Sequence, residues 1–273
     1  MLSMPPTAPS DPTPTPSFAD ALARVHDRIE RARTSAGRDD RDGSDGSDDK
    51  VRLLLATKTQ DADDVRAAVL ADRAAGRPGE VLVGENRVQE LTAKAPALAD
   101  LALTVHLIGA LQSNKVNHAL RALAQHRQAC VETVDSIALA EKIGSRVLTA
   151  AAEAGDGSTD IPLDVYVQVN VSGEESKAGV SPEAAVELAL AVAEVDGLRL
   201  SGFMTIGARS SDERLVRAGF ARLRELRDEV LGSGAPGTSA ATELSMGMSQ
   251  DLEWAVAEGA TLVRVGSAVF GAR

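Results

Sequence analysis

From Val51 onward, short apolar runs rich in β-branched residues alternate with longer stretches whose apolar positions recur every three or four residues. The short runs predict strands over Val51–Lys58, Glu80–Asn86, Leu103–Gly109, Ala129–Asp135, Leu163–Asn170, Leu198–Ile206, Thr242–Met248 and Thr261–Phe270. The longer stretches predict helices over Ala62–Ala75, Val88–Lys94, Asn114–His126, Ile137–Ala154, Pro182–Glu194, Asp212–Leu231 and Ser249–Glu258. One more helical pattern precedes them, over Phe18–Arg38, with Leu22, Val25, Ile29 and Ala32 on a single face. Continuous apolar strands separated by amphipathic helices imply a parallel sheet covered by helices. Eight such units predict an α/β fold, a single (β/α)8 TIM barrel with an extra N-terminal helix. An open doubly wound sheet is the structural alternative, but the GxGxxG fingerprint of its dinucleotide-binding version is absent.

Two segments stand outside this pattern. Residues 1–17 hold six of the eleven prolines and no basic n-region, which reads as a disordered extension rather than a signal or transit peptide. The stretch 39–50 contains six aspartates with Gly43 and Gly46, has almost nothing to bury, and reads as a flexible acidic insert. The domain expected is therefore 18–273, with that insert inside it.

The chain has 273 residues, a size that suits one α/β barrel, and its 44% hydrophobic content supports a full core. Aromatic residues at 2% disfavour base-stacking platforms, and a net charge of −11 disfavours a polyanionic partner, so no nucleic acid is expected. No apolar run reaches membrane-spanning length. The one cysteine, Cys130, has no internal disulfide partner, which fits a reducing cytoplasm.

In a barrel, chemistry gathers at the C-terminal ends of the strands. Thr57-Lys58-Thr59 ends the first predicted strand, Gly84-Glu85-Asn86 the second, and Asn170-Val171-Ser172 the fifth. Met204-Thr205 ends the sixth, and Ser245-Met246-Gly247-Met248-Ser249 the seventh. The eighth carries Arg264 ahead of Gly266-Ser267, and the third carries His106. Glycine lets backbone N–H groups approach an anion closely, and barrels often seat phosphate at the loops after strands seven and eight. Lys58 follows an uninterrupted apolar run; a partly desolvated lysine has a more available neutral amine, as Schiff-base formation requires. Set against this, a strand-end lysine is ordinarily a solvated charge, and a glycine-serine pair is ordinarily a turn. An amine at one strand end and an anion cradle at two others are the minimum equipment for holding pyridoxal phosphate.

With these residues assembled, the chain resembles the pyridoxal-phosphate homeostasis proteins, the single-domain relatives of the alanine racemase barrel. The likeness covers Val51 to Arg273. It is carried by Ala56-Thr57-Lys58-Thr59, Gly84-Glu85-Asn86, His106-Leu107-Ile108-Gly109, Ser176-Lys177-Ala178-Gly179, Leu244-Ser245-Met246-Gly247-Met248-Ser249 and Val263-Arg264-Val265-Gly266. It implies the type III fold of pyridoxal-phosphate proteins, with pyridoxal 5'-phosphate bound covalently to Lys58. It also implies that Ser245, Gly266 and Ser267 hold the phosphate, that Arg264 faces the pyridine nitrogen, and that Asn86, His106 and Met204 line the pocket. Gln60 stands where many relatives carry a second lysine, which puts in doubt any secondary cofactor site there, and Arg87 replaces a frequent tyrosine.

The resemblance further implies intracellular vitamin B6 homeostasis, a monomer, and apoenzymes as recipients of the cofactor, with no catalytic residue and no metal assigned. A protonated arginine at the pyridine nitrogen makes the cofactor a weak electron sink. The one tyrosine, Tyr166, is expected about 13 Å below the rim, too deep to serve as a second base. The alternatives are a weak amino-acid racemase or other α-carbon enzyme, and a sugar-phosphate barrel without cofactor.

Overall fold

The computed structural model describes residues 17–38, 50–77, 79–154, 162–174 and 176–271. The proline-rich tail and the acidic insert, apart from Ser17 and Lys50, lie outside the described residues. Eight parallel strands close into a barrel in sequential order. They are β1 (Arg52–Ala56), β2 (Leu82–Glu85), β3 (Thr104–Leu107), β4 (Gln128–Val134), β5 (Leu163–Gln168), β6 (Leu198–Met204), β7 (Glu243–Ser245) and β8 (Leu262–Val265). Closure is made by β1 against β8, in a register that pairs Arg52 with Leu262 and Leu55 with Val265. The helices are α1 (Phe18–Ser35), α2 (Ala62–Ala74), α3 (Val88–Leu98), α4 (Val116–Leu123), α5 (Ile137–Ala154), α6 (Ala185–Ala193), α7 (Glu213–Gly232), α8 (Leu252–Ala257) and α9 (Ser267–Phe270).

The period-two alternation of the strands divides the core in two. Leu53 and Leu55, Val83, Val105, Val131, Val165, Phe203, Leu244 and Val263 point outward into one large apolar shell shared with the helices. Leu54, Leu82, Ile108, Cys130, Tyr166, Met204 and Leu262 form a second, smaller cluster. They alternate with the outward set along their strands, so they fill the barrel interior. Burying each such leucine contributes about 1.5–3 kcal/mol before chain entropy is charged against it. Below this layer, Arg52 of β1 meets Glu243 of β7 at 2.8 Å.

Helix α1 lies outside the strand–helix repeat. Ser17 caps it by accepting the Asp20 N–H, and Leu22, Val25 and Ile29 are buried as their spacing predicts. Several element ends differ from the sequence expectation. Helix α3 runs past Lys94 through Pro96 to Leu98. The expected strand Thr261–Phe270 ends at Val265, because Gly266 leaves the extended region at φ −120°, ψ −72° and Ser267–Phe270 coils into α9. The helix expected from Ser249 begins at Leu252 instead; Asp251 bends back so that its Oδ1 accepts the Met248 N–H at 2.6 Å.

Candidate functional site

The strand ends bring the loops after β7, β8, β1 and β2 side by side on one rim of the barrel. Lys58 sits two residues beyond β1, exposed, in a turn. Its neighbour on the rim is the corner after β8. A Cβ added to Gly266 would stand 2.9 Å from the Ala56 carbonyl oxygen, so the backbone of the corner can lie against β1 only because residue 266 has no side chain. The loop after β7 completes the row. Gly247 has φ 88°, and a Cβ there would meet the Ala255 methyl at 2.4 Å. Ser249 Oγ lies 3.4 Å from Ser267 Oγ, which joins the two loops through their hydroxyls. On the other side, Asn86 follows β2; it is half-buried, and its Oδ1 has no hydrogen-bond partner.

Helix α1 braces this corner from outside. Arg28 Nη2 donates to the Ser249 carbonyl oxygen at 3.0 Å while Nε and Nη2 hold both oxygens of Glu253 at 2.7 and 2.8 Å. Phe18 packs edge-on against Phe270 of α9, with ring centroids 5.7 Å apart.

Beneath the rim runs a buried polar chain. Arg264 Nη1 donates to Ser245 Oγ at 2.7 Å and its Nη2 to the Thr205 carbonyl oxygen at 2.6 Å. Ser245 Oγ in turn donates to Glu132 Oε2 at 2.6 Å, and Glu132 Oε1 lies 2.6 Å from His106 Nδ1. His106 packs edge-on against Tyr166. Burial pushes the Glu132 carboxyl up, yet the hydrogen bond and charge of His106, the charge of Arg264 and the Ser245 hydroxyl outweigh it and hold it below the ordinary carboxylate value. Burial depresses the Arg264 guanidinium, with the Glu132 and Asp251 carboxylates acting in the opposite sense. Arginine nonetheless stays protonated at working pH. Tyr166, 2% exposed, is pushed well above its ordinary value by burial. Cys130 is likewise raised by burial.

The structure thus joins three of the residues singled out in the sequence, His106, Ser245 and Arg264, through a fourth that the sequence reading passed over, Glu132. A lone carboxylate inside Val131-Glu132-Thr133-Val134 was the available signal, because a buried charge requires a partner. Ser245 ends β7, beneath the loop that carries Ser249. The strand alternation turns its hydroxyl inward, where Glu132 and Arg264 occupy it, and the hydroxyl at the corner beside Ser267 belongs to Ser249. Met204 is fully buried among the interior residues of the barrel. Lys177, in the loop after β5, donates to the Gly207 carbonyl oxygen at 2.9 Å and pairs with Glu174 at 2.6 Å.

A closed parallel barrel with its polar residues gathered on this rim is the architecture of the alanine racemase N-terminal domain, and residues 49–273 match the family model of that description. Within that class, the chain belongs to the pyridoxal phosphate homeostasis proteins. A protein of that name from Pseudomonas aeruginosa is 41% identical over 258 residues, spanning 94% of this chain and 96% of its own. Another from Aquifex aeolicus is 37% identical, spanning 93% and 97%. Among solved structures, PipY of Synechococcus elongatus PCC7942 with PLP bound is 31% identical over 93% of this chain and 100% of its own, with a TM-score of 0.67. Alanine racemase from Clostridium difficile, at 15% identity and a TM-score of 0.62 over 93% of this chain and 60% of its own, shares the fold alone.

Proposed function

We propose that this protein binds pyridoxal 5'-phosphate through Lys58 and serves intracellular vitamin B6 homeostasis, holding the cofactor without robust turnover. The observation that carries this reading is the adjacency of β1 and β8. The register that pairs Leu55 with Val265 puts the exposed Lys58 turn next to the Gly266–Ser267 corner, one strand from Gly247–Ser249. The PLP bound to PipY, a relative that this chain matches over its whole length, supports it.

The residues present fit the group. Gly247 lets the loop after β7 lie against α8 and Gly266 lets the corner after β8 lie against β1, which brings the Ser249 and Ser267 hydroxyls within 3.4 Å of each other as donors for a phosphate. Arg264 has only two of its N–H groups engaged and so has donors left for a ring nitrogen. Asn86 offers an amide with one buried end unsatisfied. We assign the phosphate to Gly247–Ser249, Gly266 and Ser267, and the ring nitrogen to Arg264, with Ser245 and Glu132 orienting that guanidinium from below. His106 and Met204 support the pocket floor.

When bound, the cofactor would supply an aldehyde that a neutral lysine amine captures reversibly, together with an electron sink at the ring. The chain's own residues temper the second property. A guanidinium at the ring nitrogen donates a hydrogen bond without giving up its proton, so the nitrogen stays neutral. Tyr166 lies inside the barrel against His106, away from the rim, and does not provide a base on a second face of a substrate. Both features favour storage and delivery, with apoenzymes as recipients, over catalysis by a monomeric carrier in the cytoplasm.

The test is borohydride trapping of pyridoxal phosphate on the purified protein, followed by peptide mapping. The adduct should fall on Lys58 and vanish in Lys58→Ala. An adduct elsewhere, or none in cofactor-supplemented protein, refutes the assignment.

A further inference from the structure

Helix α3 sends two side chains to the turn that carries Lys58. Glu90 and Lys94 lie one turn apart on the same helix face. Lys94 is buried, 7% exposed. Its Nζ stands 2.9 Å from the Thr57 carbonyl oxygen, 3.1 Å from the Gln60 carbonyl oxygen and 2.6 Å from Glu85 Oε1. An ammonium has three N–H donors, and here each has an acceptor. The second lysine near Lys58 is therefore engaged by three protein oxygens. Thr57 Oγ1 donates to the same Glu85 oxygen at 2.5 Å, which ties the last residue before Lys58 to the floor of the same cluster.

Glu90 acts on the other side. Its Oε2 accepts the Thr59 N–H at 2.8 Å. Thr59 has φ 68°, a left-handed conformation that a β-branched residue rarely adopts and that persists only where surrounding contacts enforce it. Arg87 Nη1 lies 3.8 Å from the other Glu90 oxygen. The carbonyl before Lys58, the amide after it and the carbonyl two residues on are thus all fixed from one helix.

We propose that α3 is a clamp for the cofactor lysine, in which Lys94 and Glu90 are positioning residues that set the turn from which Lys58 projects. This rests on the reading of Lys58 as the carrier. It divides the labour between two neighbouring lysines: one amine reacts, and the other holds the backbone. Gln60 takes part only through its backbone, its N–H donating to the Thr57 carbonyl at 3.1 Å and its carbonyl accepting from Lys94, so a change of side chain at that position leaves the clamp intact.

The experiment titrates the full-length protein with pyridoxal phosphate, follows the visible absorption of the bound cofactor, and maps the borohydride-reduced adduct. Glu90→Ala and Lys94→Ala should each weaken loading about tenfold or more, because a loosened turn must be ordered on binding. Glu90→Gln, which still accepts an N–H, should restore most of it. Leu98→Val, a buried change in the same helix away from the turn, should lower thermal stability and leave loading unchanged. Wild-type loading in both alanine variants overturns the clamp, and so does an equal loss in Leu98→Val. Should Lys94→Ala fail to fold, the half-buried Glu90→Ala with its glutamine rescue decides the question alone. A wild-type protein that forms no adduct on Lys58 overturns the carrier reading and the clamp with it, a result distinct from wild-type loading that the variants share.

Discussion

Replacing Glu132 by glutamine tests the buried chain that supports the proposed site. Glu132 is fully buried; its carboxylate accepts at 2.6 Å from the Ser245 hydroxyl and lies 2.6 Å from His106 Nδ1, with Arg264 one hydroxyl away. Glutamine keeps the shape but removes the charge, leaving the buried Arg264 guanidinium with the Asp251 carboxylate alone to offset its burial. Breaking a buried pair from one side costs about 3–5 kcal/mol. At roughly 2–4 °C per kcal/mol for a chain of this order, the melting temperature should fall by at least about 6 °C. The sign of the pH dependence follows from the lowered carboxyl. Between its native value and the ordinary value of about 4.5, the unfolded chain binds more protons than the native one, so stability rises with pH across that window. The contribution is complete above about 4.5 and is lost as pH falls through the native value. Urea unfolding of both proteins across the acid range should therefore give a gap that is wide at neutral pH and narrows on acidification. A variant as stable as the wild type at neutral pH, or two parallel acid limbs, would refute the account of Glu132 as the charged partner of the chain.

Glu85 predicts the opposite trend. Burial raises its carboxyl against the hydrogen bonds of Lys94 and Thr57, so its ionisation costs native stability as pH rises from about 4.5 through its native value. Glu85→Gln should gain on the wild type over that window when unfolding is followed against pH. Gly266→Ala, whose methyl would press on the Ala56 carbonyl oxygen at 2.9 Å, should lower both the melting temperature and pyridoxal phosphate loading. Arg28→Met should change stability by only about 0–1 kcal/mol, since its pair with Glu253 is part-exposed. It releases the Ser249 carbonyl, and equilibrium dialysis should show weaker retention of the cofactor. Thr59→Gly should cost at most about 1 kcal/mol, because relief of the left-handed strain offsets glycine's chain entropy, yet it should loosen the Lys58 turn and weaken loading.

The barrel was legible in the sequence because parallel strands buried on both faces leave continuous apolar runs, and because β1 through β8 each follow a helix with a clear apolar stripe. The rim position of Lys58, Gly266 and Ser267 was legible for a related reason: they are polar or glycine residues at strand ends, where a barrel collects its chemistry. What the pattern did not show were partners that meet only through closure. Nothing local in Val131-Glu132-Thr133 points across the barrel to Ser245, 113 positions away. Lys94 sits on a helix face beside Glu90 and reads as half of an exposed ion pair, until the fold brings the Thr57 and Gln60 carbonyls over it.

The interior of this barrel is not uniform along its axis, and that bears on function. Its middle layer is apolar, with Leu54, Leu82, Cys130 and Leu262, while the layer toward the rim holds His106, Glu132, Ser245 and Arg264. Buried ion pairs are weak contributors to stability compared with apolar packing of the same volume, so stability alone does not favour this arrangement. It does fix a guanidinium: Arg264 is tied to β6 through the Thr205 carbonyl and to β7 through Ser245, and so cannot move without disturbing three strands. On the proposed reading, a cation anchored in this way, beside a corner built from Gly247 and Gly266, would present the same donors to every cofactor molecule that arrives. The proposed carrier would then be rigid at the anion and ring end and in the backbone of the lysine turn, leaving only the exposed Lys58 side chain to adapt.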